Sequence, residues 1–151
     1  MLDGLAVVLQ STKYPENIGS VARACANMGC SEVVLVAPKR WDMEKAAPLA
    51  TPKGAEIMRN MRVVDDLETA LADFSTVFGT TARTGGWRKA IMTPRKAAPL
   101  ICDAMADRRS DGKGGAAVVF GPEDRGLTNE EIEICGQLLT IPTMSDAWSL
   151  N

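Results

Sequence analysis

The sequence predicts an α/β protein built on a mostly parallel sheet, and three observations carry that reading. Short apolar runs of strand length recur along the chain: "LAVVLQ" (Leu5–Gln10), "EVVLVAP" (Glu32–Pro38) and "AAVVFG" (Ala116–Gly121). Between the first two, the apolar positions Ile18, Val21, Ala22, Cys25 and Met28 repeat at spacings of three and four, which marks a helix with one buried face. Strand, helix and strand within about thirty-five residues form the βαβ unit of a parallel sheet.

Each element follows in order. The strand over Leu5–Gln10 leads through "STKYPENIGS" into a helix over about Asn17–Met28, with Asn17 a candidate cap and Gly29 its stop. After the strand Glu32–Pro38, a short helix is expected within Asp42–Ala47 and another after Pro52, in "KGAEIMRNM". "RVVDD" marks a brief strand, and Leu67–Ala72 a short helix. Phe74–Arg83 is rich in β-branched and aromatic residues and reads as a strand running into a turn. "TGGWRKAIMTP" is expected to be an irregular loop, and Pro94 opens a helix reaching to about Arg108. "RRSDGKGG" is a turn before the Ala116 strand. Thr128 begins the next helix, and Glu131 three residues on completes a T-x-x-E capping box. Gln137–Pro142 supplies the last strand. Five or six strands alternating with helices make one domain, with no internal repeat and no linker.

Composition narrows the chemistry. With 151 residues, 46% apolar and 24% charged, the chain has the make-up of an ordinary globular domain with a real core. A net charge of -2 gives no global basic field, although a basic face can coexist with an acidic remainder. The absence of histidine excludes a histidine general base or a histidine-containing triad. Cys25, Cys30, Cys102 and Cys135 form no C-x-x-C pair and no ligand spacing, so no metal is expected. The chain shows no signal-like leader and no apolar run of membrane length, which leads to the expectation of a cytoplasmic protein with reduced thiols and no membrane contact.

Three stretches stand at predicted strand ends: Asn17–Arg23, Thr80–Arg83 and the loop "FGPEDRGLT" (Phe120–Thr128). In a parallel sheet that edge is where ligands bind. The last loop matches neither dinucleotide nor P-loop spacing, lacks a phosphate-binding lysine and carries acids, so it is either a plain strand-to-helix turn or a loop for a different ligand. Arg23 lies off the apolar helix face, beside Ser20 and Asn27. It is either a solvated arginine or a group that orients a phosphate or an oxyanion, since arginine stays protonated. "TARTGGWRK" places Arg83, Arg88 and Lys89 around Trp87, and "PKRW" repeats that chemistry with Lys39 and Arg40. Cations interleaved with an aromatic suit a nucleic-acid backbone and a stacked base, or equally a protein interface.

Three ordered motifs, "NIGSVARACANMG" (Asn17–Gly29), "FGPEDRGLT" and "IPTMSDAWSLN" (Ile141–Asn151), resemble those of the SpoU-type, TrmH-like ribose 2'-O-methyltransferases of the SPOUT class. "FGTTAR" (Phe78–Arg83) and "PKGAEIM" (Pro52–Met58) are similar to the branch that modifies tRNA at the ribose of position 32 in the anticodon loop. The resemblance implies a SPOUT-type α/β fold with a deep C-terminal trefoil knot, a homodimer, and S-adenosylmethionine as cofactor. It also implies site residues: Arg23, Asn17, Glu123, Ser149 and Asn151 for catalysis, with Arg23 foremost. Thr80, Thr81, Ala82, Gly121, Glu123, Gly126, Ile141, Ser149 and Leu150 would line the cofactor. Arg23, Lys39, Arg40, Arg83, Trp87, Arg88 and Lys89 would contact RNA.

The implied reaction is methyl transfer to a ribose 2'-hydroxyl of tRNA, at nucleotide 32. Alternatives are another site, in tRNA position 34 or ribosomal RNA, and a non-catalytic knotted RNA-binding protein. In the family the third motif continues into a helix that completes the knot, and the position-32 branch usually carries a further extension that assists tRNA binding. The sequence stops at Asn151. The expectation is therefore a methyltransferase domain over 1–151 without that helix or an extension, with weak cofactor binding or dimerisation.

Overall fold

The computed structural model describes residues 2–83, 85–86 and 88–143. The first third holds strand β1 (Leu5–Gln10), helix α1 (Pro15–Met28), β2 (Glu32–Val36) and α2 (Met43–Ala46), which runs into a 3-10 turn at Ala47–Leu49. Next come α3 (Pro52–Asn60), β3 (Arg62–Val64), α4 (Leu67–Leu71), β4 (Thr76–Thr80) and β5 (Ile91–Met92). The last third holds α5 (Pro94–Ala106), β6 (Ala116–Phe120), α6 (Asn129–Ile134) and β7 (Gln137–Leu139).

The strands lie in the order β3-β2-β1-β6-β4-β7-β5, and every neighbouring pair is parallel. Alternation along each strand sends side chains to opposite faces. Val8, Val34 and Val36 join Val119, Leu67, Leu71 and Ile132 on the face covered by α4 and α6. Leu9, Val33 and Leu35 meet Ile18, Ala22, Cys25, Ile57 and Met58 of α1 and α3 on the other. A smaller cluster of Phe78, Ala97 and Leu139 seats α5. Helix α1 therefore leaves β1 toward one face, while α6 leaves β6 toward the other. Strands β1 and β6 are direct neighbours, with Leu9 paired to Phe120. The chain's winding reverses between them, the place at the carboxyl edge where ligands bind in open parallel sheets.

Two expectations need correction. The stretch "TGGWRKAIMTP" is not wholly irregular: Ile91 and Met92 pair in parallel with Leu138 and Leu139, so the sheet has seven strands rather than five or six. A two-residue strand has no periodicity to read, and only its neighbour β7 defines it. Helix α1 starts at Pro15, not Asn17, because proline fits the first turn. Tyr14 is its N-cap and gives no side-chain cap, so Asn17 is not the cap. Gly29, at φ 75°, ends the helix as expected. The capping box of Thr128 and Glu131 is present in both directions.

All four cysteines are free, and only Cys102 is exposed. Among the described residues, no helix is long and apolar enough to cross a membrane, and no cluster of three or more Cys, Asp or Glu is arranged to hold a metal ion.

Candidate active site

The loops that follow β1 and β6 are bridged by one carboxylate. Glu123, on the loop after β6, accepts from Asn17 Nδ2 at 2.7 Å, from the Lys13 amide at 3.0 Å and from the Tyr14 amide at 3.4 Å. The two amides come from the loop after β1, and Asn17 from the first turn of α1. Beside it, Lys13 Nζ meets Asp124 at 2.6 Å, an exposed pair that adds little by itself. Burial pushes the Glu123 carboxyl up, but the hydrogen bonds from Asn17 and the two amides together outweigh it. Its pKa therefore falls below the ordinary value of 4.5. An ionised, fully engaged carboxylate of this kind fixes geometry and is a poor proton acceptor.

A second carboxylate locks the loop's far end. Glu131 accepts from the Thr128 amide at 2.7 Å, from Gln10 Nε2 at 2.9 Å and from Arg125 at 3.2 Å. Burial again raises its pKa, and these donors again lower it further than burial raises it. Glu123 and Glu131 thus hold the loop 121–128 against the end of β1 from both sides.

The Glu123 clamp gives a direct test. Glu123→Gln turns one acceptor oxygen into a donor facing donors, and is expected to destabilise the fold by about 1–3 kcal/mol. Because the folded carboxyl titrates below 4.5, its stabilisation is present above that value and is lost as pH falls through the lowered one. Urea midpoints should therefore differ between wild type and variant at neutral pH, and converge on acidification. A constant gap would refute the ionised clamp.

The three stretches singled out in the sequence do meet at this edge. Arg83, beyond β4, donates to Leu127 O and Asn129 Oδ1, both at 3.2 Å, and so reaches the start of α6. Arg23 is exposed on α1 and makes no hydrogen bond or ion pair among the described residues. The neighbouring strands β6, β4 and β7 deliver Gly121, Thr81–Ala82 and Ile141 to the same edge. Thr80 Oγ1 is engaged with Val119 O, and the Thr81 amide with Leu139 O, both at 2.9 Å. Those two groups tie the sheet together, leaving neighbouring main chain to meet a ligand. Ser149, Leu150, Asn151 and Trp87 lie outside the described residues.

Of the basic residues, Lys39, Arg40 and Arg88 are exposed. Lys89 is engaged elsewhere. Its ammonium donates to Cys135 O at 2.6 Å, Glu133 O at 2.7 Å and Ile132 O at 2.9 Å, closing the C-terminal end of α6. The sequence reading missed this, because nothing local in "GGWRK" points to a helix more than forty residues away. Lys89→Met is expected to cost about 1–3 kcal/mol, read as a lower urea midpoint. Unchanged stability with weakened RNA binding would return Lys89 to a direct RNA contact.

The parallel α/β sheet is that of a SPOUT-class protein in outline, and the chain belongs to the SpoU rRNA methylase family, whose model matches residues 4–151. It is 41% identical, over its whole length, to the tRNA (cytidine/uridine/adenosine-2'-O-)-methyltransferase TrmJ of Pseudomonas aeruginosa, and spans 56% of that protein. A probable methylase family protein of Haemophilus influenzae superposes with a TM-score of 0.88 at 39% identity, covering 100% of this chain and 60% of that one. TrmJ from Z. mobilis ZM4 does so at 0.83 and 33% identity, covering 97% and 62%. The chain thus spans a little over half the length of these relatives.

Proposed function

We propose that the protein transfers a methyl group from S-adenosylmethionine to the ribose 2'-hydroxyl of nucleotide 32 in the anticodon loop of tRNA. The observation that carries this reading is the Glu123–Asn17 bridge across the winding reversal, with Arg23, which has no partner among the described residues, on the same helix as Asn17. The relative from Pseudomonas, named for tRNA 2'-O-methylation, supports the substrate class. The similarity of "FGTTAR" and "PKGAEIM" to the position-32 branch supports the nucleotide.

The cofactor supplies an electrophilic methyl carbon, and the chain's residues supply alignment. Much of the rate of such a displacement comes from holding the two reactants in line. Glu123 fixes the loop after β1 and the first turn of α1, and thereby sets the position from which Arg23 projects. The Arg23 guanidinium orients the ribose and its phosphate, and remains protonated throughout. The chain has no histidine, so the 2'-hydroxyl proton passes to a substrate phosphate, a carboxylate or water. Glu123, with its lowered pKa and three donors, serves as a positioning group. In this reading Ser149 and Asn151 also take part in the chemistry, and the protein acts as a homodimer.

The test is transfer of labelled methyl from the cofactor to bulk tRNA, followed by ribose-specific mapping. Label at ribose 32 is expected. Label at position 34 or in ribosomal RNA would move the target. Tight RNA binding without transfer would establish a non-catalytic RNA-binding protein instead. DNA should not serve, because it lacks the 2'-hydroxyl.

A further inference from the structure

The loop between β1 and α1 holds the chain's single tyrosine, and no role assigned so far uses its ring. Tyr14 is 54% exposed although it sits at the N-cap of α1 beside the Glu123 clamp. Its backbone is fixed on both sides: its amide donates to Glu123, and its carbonyl accepts from the Asn17 amide at 3.1 Å. The ring is thus left largely in solvent on a backbone held by hydrogen bonds. Ordering such a backbone before binding removes an entropic cost that a flexible aromatic would carry.

The surroundings indicate what the ring is for. Lys39 donates its amide to Thr12 O at 3.0 Å, which fastens the loop after β2 alongside this one. Two non-glycine residues with left-handed backbone, Ser11 at φ 51° and Ala37 at φ 42°, stand at the carboxyl ends of these adjacent strands. Backbone held this way is uncommon and gathers at functional sites. The side chains of Lys39 and Arg40 are exposed and make no hydrogen bond or ion pair among the described residues. Lys13 is paired to Asp124, and Glu16 is the acid in the first turn of α1. The tryptophan of the same loop, Trp41, packs against the core formed by α1 and α3, so it is not the exposed ring here. An exposed ring on one loop, with two cations that have no partner among the described residues on the loop fastened to it, has the chemistry that receives a nucleobase and its flanking phosphates.

We propose that Tyr14 is a base-stacking platform at the rim of the site, with Lys39 and Arg40 holding the RNA backbone beside it. The proposal rests on the RNA reading above and adds to it a specific subsite.

Titration of labelled bulk tRNA against wild type and the variants Tyr14→Phe, Tyr14→Trp, Tyr14→Leu and Tyr14→Ala tests it. Cofactor affinity and molecular mass are measured in parallel. Alanine and leucine are expected to weaken tRNA binding by about tenfold or more, while phenylalanine and tryptophan stay within about twofold of wild type. Cofactor affinity and mass should not change. Unaltered binding by the alanine variant, or leucine performing as well as phenylalanine, would overturn the stacking role. A change of mass in the alanine variant would assign the ring to a contact between copies and overturn it too. Should wild type bind tRNA but transfer no methyl group, the catalytic reading fails while the titration still decides the role of Tyr14. Should wild type bind no RNA, both fall.

Discussion

Replacing Arg23 with alanine is expected to slow methyl transfer by about 100- to 1,000-fold while leaving the fold and cofactor affinity in place. The magnitude is that of losing one fixed donor aimed at charge that develops in the transition state. The selectivity follows from the structure. Arg23 is exposed and makes no hydrogen bond or ion pair among the described residues, so its removal breaks no internal contact. Exposed substitutions of that kind change stability by within about 0.5 kcal/mol, and alanine is at least as good a helix former. The variant should therefore separate chemistry from folding, which Asn17 or Glu123 variants cannot do because both belong to the clamp. Arg23→Lys keeps a positive charge but loses the planar fork, and should recover only part of the rate. Single-turnover transfer and a calorimetric cofactor titration are the measurements. A full rate in the alanine variant would remove Arg23 from the mechanism.

Much of the fold was legible because parallel strands buried on both faces read as unbroken apolar runs, and α1 announced itself by its spacing. Gly29 and the Thr128–Glu131 box could be read because both act within a few residues. What escaped was set by distant partners. β5 exists only through its register with β7. Asn17 reads as a cap from its neighbours, yet its amide reaches Glu123, which lies 106 residues further along the chain. Lys89 reads as an RNA contact beside a tryptophan, but three carbonyls at the end of α6 hold its ammonium. Tyr14 gave no signal, since one tyrosine before a proline could equally have been buried. The proposed reaction came from the family resemblance, and only the sheet order shows why the first and second motifs meet. They follow β1 and β6, far apart in sequence and adjacent in space.

The same adjacency makes Gly121→Ala the most damaging small substitution in the loop. Immediately after β6 the chain folds back so closely that a Cβ on Gly121 would stand 2.3 Å from the carbonyl carbon of Gly126 and 2.4 Å from the amide of Leu127. Both are backbone atoms, so no side-chain rotation can make room. Leu127 is itself in the core, 3% exposed, and the capping box begins at the next residue. Opening the loop would therefore displace Leu127, loosen Thr128 and move Glu123 off Asn17. Alanine at 121 is expected to cost about 3 kcal/mol or more, the upper end of overpacking penalties. At about 2–4 °C per kcal/mol for a chain of this size, melting should fall by about 6–12 °C. Two other glycines grade the effect. Gly126 has open space around its missing Cβ but adopts φ +68°, so alanine there should cost only the left-handed backbone penalty of about 1–2 kcal/mol. Gly85 has open space and no such φ, and alanine should be nearly neutral. The order Gly121, Gly126, Gly85 in melting temperature, with cofactor affinity falling most steeply at 121, is the expected result. Equal tolerance at 121 and 85 would mean that the loop does not fold back on itself as the structure has it, and the clamp at Glu123 would lose its basis.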